Sequence, residues 1–224
     1  MAIGITAPRR TRPEEILVGH LDLPGLLFRP RDPFGLVIFA HGSGSSRHSV
    51  RNQQVAEALA QQGMAALLFD LLRPYEETAN RRAKVFDIGL LAERLEEVVG
   101  EAGQLMGDPT LPVGLFGAST GAAAALVAAA NLGPKIAAVV SRGGRPDLAG
   151  KALSDVTAPT LLIVGGEDHD VLALNRQAQR LLRGLNSLEV VPGASHLFPE
   201  PGAMERVVAL TLEWFERYLS KDPV

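Results

Sequence analysis

This sequence predicts an α/β fold. The sheet is mostly parallel, with about eight strands, helices on both faces and an antiparallel hairpin at its N-terminal edge. Three observations predict it. Short apolar runs alternate along the chain with longer amphipathic stretches, the rhythm of repeated β-α units. The runs Leu36 to Ala40, Met64 to Phe69 and Thr160 to Val164 contain almost no charged or strongly polar residue, as in strands covered on both faces. The unusual polar residues His41, Ser43, Asp70, Ser119, Arg142, Asp168 and His196 follow directly on such runs. Parallel sheets gather functional groups at that carboxyl edge.

The elements follow in order. Residues 1–13 read as a loose leader. Ile16-Leu17-Val18 and Leu26-Leu27-Phe28 flank Leu23-Pro24-Gly25, which reads as the turn of an edge hairpin. Gly35 to Ala40 is a buried strand that ends in His41-Gly42-Ser43-Gly44-Ser45-Ser46. Residues 52–62 have helical spacing and stop at Gly63. Met64 to Phe69 is a strand that ends at Asp70. A helix over about residues 86–100 carries Ile88, Leu91, Leu95 and Val98 on one face. A strand from about Leu111 leads into the turn at Ser119 and an alanine-rich helix. Strands follow at 136–140, 160–164 and 188–191, and helices at about 171–182 and 201–219. No repeat, low-complexity tract or linker divides the chain, so one domain over residues 1–224 is expected.

Composition narrows the function classes. Hydrophobic residues make up 46% and charged residues 21% of the 224, as in an ordinary globular protein. The net charge of −3, without a basic run, points away from nucleic acid. With no cysteine, disulfides, thiol nucleophiles and thiolate metal sites are excluded. Arg9 and Arg10 form a twin-arginine pair, but Pro13-Glu14-Glu15 follows in place of an apolar signal core. No stretch is long and apolar enough to span a bilayer, so a soluble cytoplasmic protein without membrane contact is expected. Oligomeric state is not encoded in these patterns; a homodimer is compatible with them.

The chemistry centres on Gly117-Ala118-Ser119-Thr120-Gly121, a G-x-S-x-G turn between strand and helix. Such a turn presents its serine on a strained backbone, and the flanking glycines let strand and helix approach closely. The bland reading is a packing turn whose serine caps the helix. A serine nucleophile needs a base. Of His20, His41, His48, His169 and His196, the favoured base is His196, just after the last strand in a loop with Gly193 and Pro199. His20 and His48 read as surface groups, His41 as a loop-shaping hydrogen-bonder and His169 as a neighbour of the acid turn. Asp168 is the favoured acid, with Glu167 and Asp170 as alternatives; Asp170 also fits a helix cap. An oxyanion needs two amides: Thr120, after the nucleophile, and Ser43, between Gly42 and Gly44. Asp168-His169-Asp170 is the one metal-like cluster and reads better as the acid turn, so neither metal nor cofactor is expected.

His41-Gly42-Ser43-Gly44, the G-x-S-x-G turn, Gly165-Gly166-Glu167-Asp168 with Val171, and Gly193-Ala194-Ser195-His196 resemble the motifs of α/β-hydrolases. More narrowly, the chain resembles the dienelactone hydrolase-like family, in register from about residue 16 to 219. The resemblance implies the α/β-hydrolase fold and a Ser119-Asp168-His196 triad with Ser43 and Thr120 as oxyanion donors. True dienelactone hydrolases use a cysteine where Ser119 stands, which favours ester chemistry. Relatives joined to a phosphoribosyltransferase-like domain are also implied, a domain of which this chain carries no sign.

Residues 141–159 leave little room for a lid, so an open site for a small-molecule ester is expected. Arginines at 47, 51, 73, 82, 142 and 145 could reach its mouth, with Arg47 and Arg142 as possible substrate contacts. The bland reading pairs them with Asp147, Glu76 and Glu77. Two other functions stay open. The same triad serves thioester, amide or peptide hydrolysis or perhydrolysis, and the fold also serves non-catalytic ligand binding.

Overall fold

A computed structural model describes residues 12–76 and 84–220. Most of the predicted leader, together with Glu77 and Arg82, lies outside the described residues. Eight strands form one sheet: β1 (Glu14–Val18), β2 (Leu23–Phe28), β3 (Gly35–Ala40), β4 (Met64–Phe69), β5 (Val113–Ala118), β6 (Ile136–Arg142), β7 (Thr160–Gly165) and β8 (Asn186–Val191). Their spatial order is β1-β2-β4-β3-β5-β6-β7-β8. β2 pairs antiparallel with β1 and β4; all other pairings are parallel. Among the described residues five α-helices accompany it: α1 (Val50–Gln61), α2 (Ile88–Met106), α3 (Thr120–Leu132), α4 (His169–Leu181) and α5 (Ala203–Leu219).

Burial explains the apolar runs. Every residue of β3, β4, β5 and β7 is buried. Alternate side chains serve two cores, as the strand period of two requires. Leu36, Ile38 and Ala40 join Leu91, Leu95, Val98 and the alanines of α3 on one face. Val37 and Phe39 join Val55, Leu59, Val207 and Phe215 of α1 and α5 on the other. Phe39 and Phe116 are register partners with ring centroids 4.7 Å apart. The edge strands β1 and β8 are mostly half-buried or exposed, which is why their limits were harder to read.

Several boundaries differ from expectation, three of them near turns or the site. The hairpin turn lies at residues 19–22, closed by the Asp22 N–H donating to the Gly19 carbonyl at 3.1 Å. Leu23, Pro24 and Gly25 belong to β2. Pro24 stands just before the β2–β4 ladder, which begins at Gly25, and its carbonyl still accepts from the Asp70 N–H at 3.0 Å. α2 runs through Gly100 and stops at Gly107, whose φ of 71° suits glycine. β6 continues past Val140 to Arg142, pairing Arg142 with Ala118. Between β6 and β7, residues 146–155 form two short 3-10 turns kinked at Gly150, too short for a lid.

Candidate active site

The elbow sits where β5 hands the chain to α3. Ser119 has φ 51° and ψ −123°, a conformation that costs a non-glycine residue about 1–3 kcal/mol. Surrounding bonds hold it there. The Ser119 N–H donates to the Arg142 carbonyl at 3.3 Å, and the Ser119 carbonyl accepts from Ala122 and Arg145. A side chain at 117 would lie 2.3 Å from the Ala122 Cα, and one at 121 would lie 2.2 Å from the Ala40 carbonyl. The two glycines are therefore set by close packing. Ser119 makes no side-chain cap on α3, unlike the bland reading of the motif.

His196 and Asp168 meet across 28 residues of sequence, Nδ1 to Oδ2 at 2.6 Å. Asp168 stands at the N-cap position of α4 without capping it, which leaves its carboxylate for His196. The His196 loop is anchored by Phe198, 1% exposed and held at φ 55°. Glu167 and Asp170 are exposed; His169 opens α4 and lies 3.9 Å from Glu167. His196 and Ser119 line one cavity of about 300 Å³. Among the described residues no hydrogen bond joins them. Such bonds often tighten only when substrate is bound.

The predicted oxyanion donors lie at the same place. Gly42 presses on the elbow: a side chain there would lie 2.8 Å from the Ser119 Cβ. The Ser43 N–H donates to the Thr120 Oγ1 at 2.9 Å, so this amide already has a partner inside the site. His41 does shape its loop. Its Nδ1 lies 3.0 Å from the Gly42 carbonyl, and its Nε2 accepts from the Leu71 N–H at 3.1 Å.

The arginines separate. Arg47 turns to Asp70, through its backbone N–H and its guanidinium. Arg145 makes a bidentate pair with Asp147 at 2.8 Å, which raises its pKa. Arg142 and Arg51 line the cavity with Ser119 and His196. Arg142 is 6% exposed, and its pKa is lowered to about 10, first by burial and then by the charge of Arg51. A larger hollow of about 640 Å³ lies between the 3-10 turns and α4, lined by Asp147 but not by Ser119, Asp168, His196, Arg51 or Arg142. Among the described residues no three His, Asp or Glu side chains are grouped to hold a metal ion, and no helix is long and apolar enough to cross a membrane.

Sequence reasoning missed two residues. Asn52 accepts from Arg142 Nη2 at 3.0 Å, from the buried side of α1. Arg94 interrupts the apolar face that Leu91, Leu95 and Val98 define on α2. A charge at an apolar position of the helical repeat was a legible signal, although its partner Glu76 was not.

Known proteins place this geometry in a family. Residues 34–207 match the model of the alpha/beta hydrolase domain. A dienelactone hydrolase from Anabaena variabilis is 51% identical, with a TM-score of 0.86 over 92% of this chain and 99% of that one. Est1E from Butyrivibrio proteoclasticus, 18% identical with a TM-score of 0.74 over 91% and 97%, shares the fold. A Mycobacterium tuberculosis (strain H37Rv) protein named "Putative phosphoribosyl transferase Rv0571c" is 56% identical over 212 residues, 95% of this chain and 47% of that protein. The chain thus spans about half the length of the curated relatives it matches. It belongs to the alpha/beta hydrolase family and is dienelactone hydrolase-like within it.

Proposed function

We propose that this member of the alpha/beta hydrolase family cleaves a small carboxylic ester through an acyl-enzyme formed on Ser119. One observation carries the reading. A histidine bound to a carboxylate at 2.6 Å shares a cavity with a serine held on a strained elbow. A carboxylate on Nδ1 sets the tautomer that leaves Nε2 free to take a proton.

In this reading Ser119 Oγ attacks the ester carbonyl carbon and its proton passes to His196 Nε2. The imidazolium, stabilised by Asp168, returns that proton to the departing alkoxide as the carbon–oxygen bond breaks. Water then attacks the acyl-enzyme with His196 as base, and Ser119 leaves reprotonated. The oxyanion is held by the backbone N–H groups of Thr120 and Ser43, and it takes over the Ser43 N–H from Thr120 Oγ1. The small cavity favours short acyl and leaving groups.

Labelling with a fluorophosphonate probe, alongside hydrolysis of p-nitrophenyl acetate and butyrate, tests this. Wild type is expected to label and to turn over both esters. Ser119→Ala is expected to abolish labelling and to lower kcat by roughly 10³-fold or more. A folded wild-type protein that neither labels nor hydrolyses either ester overturns the reading and leaves non-catalytic binding in its place.

A further inference from the structure

The chain that leaves β6 clasps the elbow by its backbone. The Ser119 N–H donates to the Arg142 carbonyl at 3.3 Å, and the Arg145 N–H donates to the Ser119 carbonyl at 3.0 Å. Residues 142–145 therefore grip the strained residue on both sides. The same segment passes beside the His196 loop: a side chain at 143 would lie 3.1 Å from the His196 carbonyl.

Such a clasp holds only as well as it is anchored. One anchor is backbone, the Gly143 N–H donating to the Ile163 carbonyl of β7 at 2.8 Å. Another is a side chain. Asn175, fully buried on α4, donates from Nδ2 to the Gly144 carbonyl at 2.9 Å, across 31 residues. It also donates to the Val171 carbonyl one turn back at 2.8 Å, which fixes the plane of the amide. Both amide hydrogens are then used. A side chain at 144 would lie 2.6 Å from the Ala122 Cβ, so the anchored residue is pressed against the first turn of α3.

Packing alone does not call for an amide at 175. The position falls in the buried stripe of α4, between Leu172 and Ala178. An apolar side chain there would bury more apolar surface, and the Asn175 Oδ1 is buried with no hydrogen-bond partner among the described residues. A buried, half-answered amide costs stability. What it supplies is a fixed distance between α4 and the clasp.

We propose that Asn175 is a positioning residue for Ser119. It acts through the Gly144 carbonyl and the Arg145 N–H to hold the elbow in the conformation that aims Ser119 Oγ. α4 begins directly after Asp168, whose carbonyl accepts from the Leu172 N–H at 2.8 Å. One helix thus seats the acid and, through Asn175, steadies the nucleophile. The inference rests on the serine-hydrolase reading for what Ser119 does, and adds a residue that reaches neither substrate nor triad side chain.

Two variants test it. Asn175→Leu keeps the size and removes the donor. Asn175→Ser keeps a hydroxyl for the Val171 carbonyl but stops a bond short of Gly144, and it serves should the leucine variant not fold. Each is expected to lower kcat for p-nitrophenyl butyrate about 10- to 100-fold and to leave KM within about threefold. A residue that only stabilised the fold would shift the urea midpoint and leave kcat of the folded enzyme in place.

Amide hydrogen exchange followed by NMR reads the clasp without turnover. In both variants the Arg145 amide is expected to exchange about tenfold faster or more, relative to the β3 amides that follow global unfolding. Lower kcat at constant KM, with faster exchange at Arg145, supports the assignment. In an active wild type, an unchanged kcat in either folded variant, or unchanged exchange at Arg145, overturns it and leaves the hydrolase reading standing. With an inactive wild type the hydrolase reading falls and exchange alone decides: a loosened Arg145 amide leaves Asn175 as the anchor of the Ser119 turn, and an unchanged one removes that role too.

Discussion

Arg94 and Arg142 are equally buried, 7% and 6% exposed, and they meet opposite surroundings. Arg94 reaches both oxygens of Glu76, at 2.8 and 2.9 Å, and also donates to the Leu71 carbonyl at 2.6 Å. Lys84 adds a third cationic contact to Glu76 at 2.8 Å. The Leu71 N–H in turn holds His41, at the root of the β3 loop. Arg142 has a neutral amide and a second guanidinium for neighbours. Burial alone therefore does not fix what surrounds a buried arginine; the partner does. The Arg94 guanidinium braces the scaffold around the site through Glu76, whereas Arg142 faces the cavity beside Ser119 with no carboxylate on the lining among the described residues.

The same substitution at both positions breaks or sharpens that contrast most directly. Arg94→Met removes one partner of a buried pair and is expected to cost about 3–5 kcal/mol in urea unfolding at pH 7. Arg142→Met replaces an unpaired buried charge by an apolar chain of similar length. It is expected to change stability by less than about 1 kcal/mol in either direction. Equal losses in the two variants would erase the distinction.

Acid titration sharpens it next. The Arg94 hydrogen bonds hold the Glu76 carboxyl down at about 2, from an ordinary 4.5, against the opposing effect of burial. Its folded pKa is depressed, so its stabilisation is complete above pH 4.5 and is lost as the pH falls toward 2. The shift corresponds to about 3 kcal/mol. Urea midpoints measured from pH 6 to pH 3 should fall more steeply in wild type than in Glu76→Gln. Parallel profiles would mean that the pair contributes no differential protonation.

The smallest effect belongs to Lys84, whose side chain is 38% exposed. Lys84→Ala is expected to cost no more than about 1 kcal/mol, and less in 0.5 M salt. A larger, salt-insensitive loss would place Lys84 inside the buried network instead of at its edge.

The legible parts of the fold and the site were those that local chemistry encodes. β3 and β4 were readable to the residue, because strands covered on both faces are apolar throughout. The elbow was readable from spacing, since glycines at 117 and 121 are demanded by contacts within a few residues or with the adjoining strand. The hairpin was misread because Pro24-Gly25 signals a turn locally, while the true turn at 19–22 is pinned from α2. Glu101 accepts from the Gly19 N–H at 2.9 Å, and Glu97 accepts from the His20 N–H at 2.5 Å. Gly100 read as a helix stop, but α2 packs on the sheet face beside α3 past it and ends only at Gly107.

The sequence by itself determined the parallel sheet, the strained serine and the order in which polar groups arrive at one sheet edge. Periodicity and turn chemistry are properties of residues close along the chain. Only the tertiary structure decided which charges are answered. Arg94 finds Glu76 across 18 residues, and Arg142 crosses 90 to reach an amide. Such pairings depend on where helices come to rest against the sheet, and no local pattern of residues specifies them.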